Sequence, residues 1–400
     1  MPLPTPFHPR TAPLCYNQEW RTWSGYLAPA LYAAAHEREY FAIRNAVALI
    51  DVSPLLKYEI RGPQAGDLLN RIMTRDVSRC AVGQVMYSPW CDDDGKVIDD
   101  GTIARLEDCL FRITAADPSL VWFQDCGYRM DVEVRDVSQD LAALAVQGPN
   151  ARRLLAEVLS GVDLDNLKYY RLAQGSVDGF PVTITRTGYT GDLGYELWLA
   201  PRHAERLWDL LVEHGSGYGL LPTGMVALDI ARIEAGLLLI ETDYISARKA
   251  LIPEQKSSPF DLGLGWAVSL EKERFIGRQA LLKEHARGSR WKFVGLEIRW
   301  ESLEEQFARV GLAPRVAGRA SRQALPVYGR SIGVARQIGR TTSHTFSPLL
   351  KKYIALATLE RPYAVPGAQV QVEVTVEYTR QQATAIVVDL PFLNPPRKRA

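Results

Sequence analysis

The chain has 400 residues, 47% of them hydrophobic and 23% charged, with 47 Lys and Arg against 46 Asp and Glu. That balance provides no basic field for nucleic acid, and no run of about 18 apolar residues is present to cross a membrane. The five cysteines, Cys15, Cys80, Cys91, Cys109 and Cys126, form no C-x-x-C pair and precede no histidine at zinc spacing, so neither a metal site nor a disulfide framework is expected.

Reduced thiols fit a cytoplasmic protein. The first six residues hold three prolines and no apolar core, unlike a signal peptide. The length suggests two or three domains.

Residues 27–47 mix apolar and charged positions at helical spacing. The apolar run 46–50 then leads into Asp51-Val52-Ser53-Pro54, where proline discourages helix. Residues 57–61 alternate polar and apolar as a half-buried strand does, and Gly62-Pro63 stops them. An amphipathic helix is predicted over 65–73, and paired strands over 84–90 and 96–105. The Asp94-Gly95 step between them suits a tight turn. Further strands are predicted at 111–114 and 130–134.

The order then recurs, with a strand at 144–147, a helix at 151–159, strands near 175–186 and 194–200, and a helix at 202–213. From Trp291 onward helical periodicity fades, and 294–298, 353–357, 370–378 and 382–388 read as strands. These patterns predict an α+β fold of two successive subdomains over 1–288, each a sheet with helices on one side, then a β-barrel domain over 289–400. The Gly-, Ala- and Arg-rich stretch 308–325 is expected to be a long loop, and the basic run Arg397-Lys398-Arg399 a solvated end.

Four stretches draw attention for chemistry. Asp99 and Asp100 are adjacent in a predicted strand, so alternation sends them to opposite faces and one at most enters a given pocket. Solvated acids at a strand end fit that spacing as well. In 186–197 the glycines permit close backbone approach, and Glu196 within the following strand must be exposed or satisfied. It suits a carboxylate accepting two bonds from a heterocycle, or simply an edge residue. Arg232 lies in a helical run and suits pairing with a neighbouring acid. Tyr244 suits either a phenolic acid for a leaving group or packing, and His344 a structural role.

Taken in order, the pieces resemble the glycine cleavage T-protein, or aminomethyltransferase, family. They are Ile43-Arg44, Asp51-Val52-Ser53, Gly95-Lys96-Val97-Ile98-Asp99-Asp100, Gln147-Gly148-Pro149 and Arg186-Thr187-Gly188-Tyr189-Thr190-Gly191. Tyr195-Glu196, Arg232-Ile233-Glu234-Ala235, Gly263-Leu264-Gly265-Trp266, Phe275-Ile276-Gly277-Arg278 and Phe346-Ser347-Pro348 complete the set.

The resemblance implies three subdomains around a central tetrahydrofolate, with the barrel last. Glu196 matches the position that receives the pterin's 2-amino and N3–H donors. Asp100 matches the catalytic aspartate beside N5 and N10, with Tyr244 as a second catalytic candidate. Tyr87 and Tyr189 match the pterin pocket, Arg232 a polar position near it, and Asp99 a weaker neighbour.

Some positions depart from the family pattern. Pro54 stands where His is usual, Thr114 where Asn is usual, Leu228 where an Arg precedes the Asp, and His344 where Gly is common. A longer segment, 245–259, carries Arg248, Lys249 and Lys256. Such changes near the donor side suit a folate-dependent enzyme that takes a methyl or methylene group from a small organic donor. Trp90, Leu55 and Leu56 suit a wall for an aromatic donor or core packing.

The alternatives are a T-protein acting on an aminomethyl-lipoyl carrier protein, and a non-enzymatic folate binder. For the latter, the cysteines all lie before residue 127, away from the mid-chain Lys-Gly-Cys-Tyr stretch of the family's iron–sulfur assembly relatives. No flavin-binding segment stands before residue 35, as a self-contained amine oxidase requires.

Overall fold

The computed structural model describes residues 1–331 and 334–400. A one-turn helix α1 (His8–Thr11) precedes a hairpin of β1 (Trp20–Trp23) and β2 (Tyr26–Pro29). Helix α2 (Glu37–Asn45) opens with Glu37 and Glu39 and closes with Arg44, charges that suit the helix dipole. The helical pattern expected over 27–47 is thus only partly realised. Residues 32 and 33 hang instead on Glu39, whose carboxylate accepts the N–H groups of Tyr32, Ala33 and Gly224, each at 2.8 Å. Three satisfied backbone amides there take the place of a further helical turn.

Strand β3 (Val47–Asp51) is buried at every position. Next come β4 (Leu56–Arg61), α3 (Ala65–Ile72), β5 (Val85–Cys91), β6 (Val97–Glu107), β7 (Leu110–Ala115), α4 (Leu120–Cys126) and β8 (Glu133–Asp136). Their strands make an antiparallel sheet in the order β5-β6-β7-β4-β8. Helix α3 covers it with Ala65, Leu68, Leu69 and Ile72, the stripe an amphipathic helix buries.

The chain continues through β9 (Ala142–Gln147), α5 (Ala151–Val158), β10 (Leu172–Val177), β11 (Phe180–Thr185) and β12 (Gly194–Leu199). Then follow α6 (Ala204–Gly215), β13 (Leu220–Pro222) and α7 (Met225–Glu234). The second sheet runs β10-β11-β12-β9-β3-β13.

Two expectations are corrected here. The sheets do not simply follow one another, because β3 joins the second sheet between β9 and β13. Nor are the helices on one side of that sheet. Leu154 and Leu207 of α5 and α6 pack with Val146 and Leu197, while Ile43 and Ala231 of α2 and α7 pack with Ile50 and Ala145 on the other face. A strand buried at all five positions requires cover on both faces.

The last part holds α8 (Arg278–Arg287), β14 (Trp291–Ile298), α9 (Trp300–Ala308), β15 (Pro326–Ser331) and β16 (Val334–Ser347). After them come β17 (Lys352–Glu360), β18 (Gln369–Val376) and β19 (Thr379–Val388). These strands close into a barrel in the order β14-β17-β16-β15-β18-β19, which leaves no open edge. The fold is therefore α+β with a C-terminal β-barrel. Strand β16 carries no apolar alternation because its buried residues include Thr341, Ser343, Thr345 and Ser347, so its sequence does not read as a strand. One apolar cluster ties the units together, joining Val97 of β6, Ile233 of α7, and Phe293 and Leu356 of the barrel.

Candidate active site

Where the two sheets, α7 and the barrel converge lies a cavity of about 730 Å³, a size that holds a drug-sized ligand. Asp100, Tyr87, Tyr189 and Glu196 all line it. Neighbouring strands set this arrangement. Tyr87 on β5 sits across from Thr102, two residues beyond Asp100 on β6. Gly101 lets β6 pass close to β7, since a Cβ there would stand 1.9 Å from the Thr114 carbonyl oxygen.

Glu196 on β12 faces the cavity beside the 187–190 turn. That turn is tied down by Gln147, which donates to the carbonyls of Thr187 and Tyr195 at 3.2 Å each and accepts from the Thr190 hydroxyl at 2.8 Å. Side chains at Gly188 or Gly194 would collide with Gln147, because either Cβ would lie 2.1 Å from its Oε1.

Asp100 is held by two phenols. Tyr87 donates to its Oδ2 at 2.9 Å, and Tyr244 donates to Oδ1. Burial raises the Asp100 carboxyl above its ordinary range, and the Tyr244 and Tyr87 hydrogen bonds pull it part of the way back. Glu196 is likewise raised by burial and pulled back by Thr187 and Thr185. Thr187 donates to Glu196 Oε2 at 2.6 Å and Thr185 to the same atom at 3.4 Å. Glu196 Oε1 accepts no hydrogen bond among the described residues, so it is available to a ligand. Neither acid forms an ion pair among those residues. Of the other candidates, Tyr189 lines the cavity with its hydroxyl spent on the Leu238 carbonyl.

Three expected residues stand off the cavity wall. Asp99 faces the other way, as strand alternation requires. Its carboxylate accepts the N–H groups of Asp100, Ala116 and Asp117 at 2.8, 3.1 and 2.9 Å, and so fixes the turn after β7. Arg232 is fully buried, donating to Asp243 at 2.6 Å and to the Ser343 hydroxyl at 2.7 Å. Tyr244 is buried behind Asp100 and reaches the cavity only through it.

The departures also find places. Thr114 lines the cavity and shares a 2.6 Å hydrogen bond with Thr102. His344 is half-buried in β16, and desolvation lowers its pKa to about 4. Leu55 lines the cavity, whereas Trp90 packs in the first sheet's core against Phe123. Lys256 in the longer segment is engaged by Asp92 at 2.9 Å, and Lys249 by Asp117.

The sequence reading missed the C-terminal tail. Arg397 donates to both oxygens of the buried Asp192 at 2.6 and 2.9 Å. Arg152 and Arg186 hold Ala400, and Lys398 and Arg399 line the cavity. The tail is a wall and not a solvated end, because Asp192 requires more than Arg44, 3.3 Å away, to satisfy it. Tyr170 and Trp266 were also missed. Both line the cavity, and Trp266 stacks on Tyr87 with ring centroids 5.8 Å apart.

The N-terminal domain model of the glycine cleavage T-protein family matches residues 12–272, and that family's C-terminal barrel domain model matches residues 308–394. The chain belongs to the glycine cleavage T-protein family. Its relatives include an aminomethyltransferase from Halothermothrix orenii, 35% identical over 94% of this chain and 95% of that protein. A trimethylamine-oxide aldolase from Ruegeria pomeroyi is 32% identical over 99% of this chain and 47% of that protein. The fold of the glycine cleavage system aminomethyltransferase T from Bartonella henselae superposes with a TM-score of 0.82 at 23% identity, covering 98% of each chain. Among the described residues, no helix is long and apolar enough to cross a membrane.

Proposed function

We propose that this protein is an enzyme that moves a one-carbon unit onto tetrahydrofolate held in the central cavity. The observation that carries the proposal is the pair of half-buried acids without ion-pair partners in one cavity, Glu196 with a free oxygen and Asp100 gripped by two phenols. Glu196 would receive the pterin's 2-amino and N3–H groups as neighbouring charge-assisted bonds. Tyr87, Tyr170 and Tyr189 would flank the ring. When bound, the folate supplies the nucleophilic nitrogens that accept the carbon.

Asp100 orients that amine edge, stabilises positive charge developing on the transferred carbon, and accepts a proton at its carboxylate oxygen. Its raised affinity for protons suits that last task. Tyr244 and Tyr87 position the carboxylate and hold its charge in check.

For the donor, an aminomethyl group on a carrier protein is the better supported reading. It rests on relatives named aminomethyltransferase that align along nearly the whole chain. A free small organic donor is the second reading, favoured by Leu228 and Thr114, where the family's usual polar residues are replaced on the cavity wall. The test incubates the enzyme and tetrahydrofolate separately with aminomethyl-loaded carrier and with a panel of N-methyl and O-methyl compounds. Mass spectrometry then follows the folate products. Turnover only with the loaded carrier supports the first reading, and turnover only with the panel the second. No folate product from any donor refutes the proposal.

A further inference from the structure

Asp229, on α7, carries two arginines that come from distant parts of the chain. Arg21 of β1 donates to its Oδ2 at 2.9 Å, and Arg322, from the loop before β15, donates to Oδ1 at 3.0 Å and Oδ2 at 2.8 Å. All three residues line the cavity. Behind them Arg232 lies 3.6 Å from Asp229 and is neutralised by Asp243 at 2.6 Å. Three guanidiniums therefore face two carboxylates, which leaves one positive charge uncompensated.

Each of Arg21 and Arg322 engages Asp229 through a single nitrogen, and their other N–H groups have no partner among the described residues. The surrounding wall is apolar, with Trp23, Leu55, Met225 and Leu228. Trp23 stands two residues from Arg21 on β1, on the same face.

We propose that Arg21 and Arg322 form a carboxylate-binding subsite of the cavity. A guanidinium offers a planar fork of donors that matches a carboxylate. One surplus charge between apolar walls suits a monoanion on an organic frame better than a phosphate. Asp229 aims the two forks while cancelling only half their charge. Two sources carry the required group, the glutamyl end of the folate and a carboxylate on the one-carbon donor. The first of these rests on the folate reading above, and the second does not.

The test is titration calorimetry on the full chain as wild type, Arg21→Gln, Arg322→Gln and the double variant. Two ligand pairs are used. Tetrahydrofolate is compared with the N-methylamide of tetrahydropteroic acid, which has neither the glutamate nor a free carboxylate, and methoxyacetate, a monoanion bearing an O-methyl group, with its neutral methyl ester. The charged member of one pair should bind wild type more tightly than its neutral counterpart. The double variant should lose that advantage by about ten- to hundredfold, the worth of one charge-assisted bond or slightly more. The neutral member should stay within about twofold.

Loss in the folate pair assigns the subsite to the glutamyl end, and loss in the methoxyacetate pair to the donor. The single variants leave Asp229 one guanidinium each, so at least one folded protein is available for comparison. A purely structural pair, tying β1 and the loop to α7, would lower thermal stability without favouring charged ligands. Equal affinity for charged and neutral members in wild type, or binding of none of the four, overturns the subsite. If neither tetrahydro compound binds while methoxyacetate still senses the arginines, the folate reading falls and the subsite stands.

Discussion

Replacing Glu196 by Gln removes the charge while keeping the shape, and the structure sets the size of the effect. Glu196 Oε2 is engaged by Thr187 at 2.6 Å, so the side chain is fixed before any ligand arrives. Oε1 is the free acceptor. Gln keeps one oxygen and turns an NH2 toward a ligand edge that is itself a row of donors. One charge-assisted bond is lost, the remaining one is weakened, and two donors face each other.

A hydrogen bond to a charged group contributes about 1.5–3 kcal/mol, so the combined loss is about 2–4 kcal/mol. That corresponds to about thirty- to several-hundredfold in Kd for tetrahydrofolate. Titration calorimetry under reducing conditions measures it, with a thermal melt to confirm the fold. Burial already raises this carboxyl, so the neutral side chain should not destabilise the ligand-free protein. A folded Glu196→Gln whose Kd stays within about threefold of wild type would refute the pairing of this acid with the pterin.

Asp100→Asn should keep folate binding and lose turnover. Asp99→Asn, which puts an NH2 where three backbone amides need an acceptor, should instead cost about 1–3 kcal/mol of stability, read from chemical denaturation. Tyr244→Phe removes a bond that favours the charged form of Asp100, so its pKa should rise further and the acid limb of the kcat/KM profile should move to higher pH. An unmoved limb would mean that another group governs it. Gly188→Ala should push Gln147 away from two carbonyls and lower stability by about 1–3 kcal/mol in a thermal melt.

Much of this was readable before the fold was known, and the failures have particular causes. Strand alternation alone separates Asp99 from Asp100, and the structure puts the latter in the cavity and the former behind the turn. Periodicity located α3 and α5 because each presents one apolar stripe to one sheet. It could not locate β16, whose interior positions carry hydroxyls. It also misread the tail, because the partners of Arg397 and Ala400 lie about 200 residues or more away in sequence. Arg21 and Arg322 are invisible for the same reason, since only the fold brings them to one aspartate.

The acids enclosed by this protein are satisfied in different ways, and the difference argues for which of them do chemistry. Glu39 and Asp99 each accept three backbone N–H groups and are structural. Glu234 is held by Arg44 at 2.6 Å and by the Tyr40 hydroxyl at 2.6 Å, and Asp243 by Arg232 at 2.6 Å. Those carboxylates are saturated by full positive charge, and a ligand has nothing to gain from them. Asp100 and Glu196, half-buried on the cavity wall, are held only by neutral hydroxyls. Neutral donors offset the cost of burying a charge only in part. The fold therefore keeps both acids in an unfavourable state that a ligand bearing donors or positive charge relieves. Adding a cation beside either acid should stabilise the ligand-free protein and weaken its site, which is the trade expected where stability and function compete.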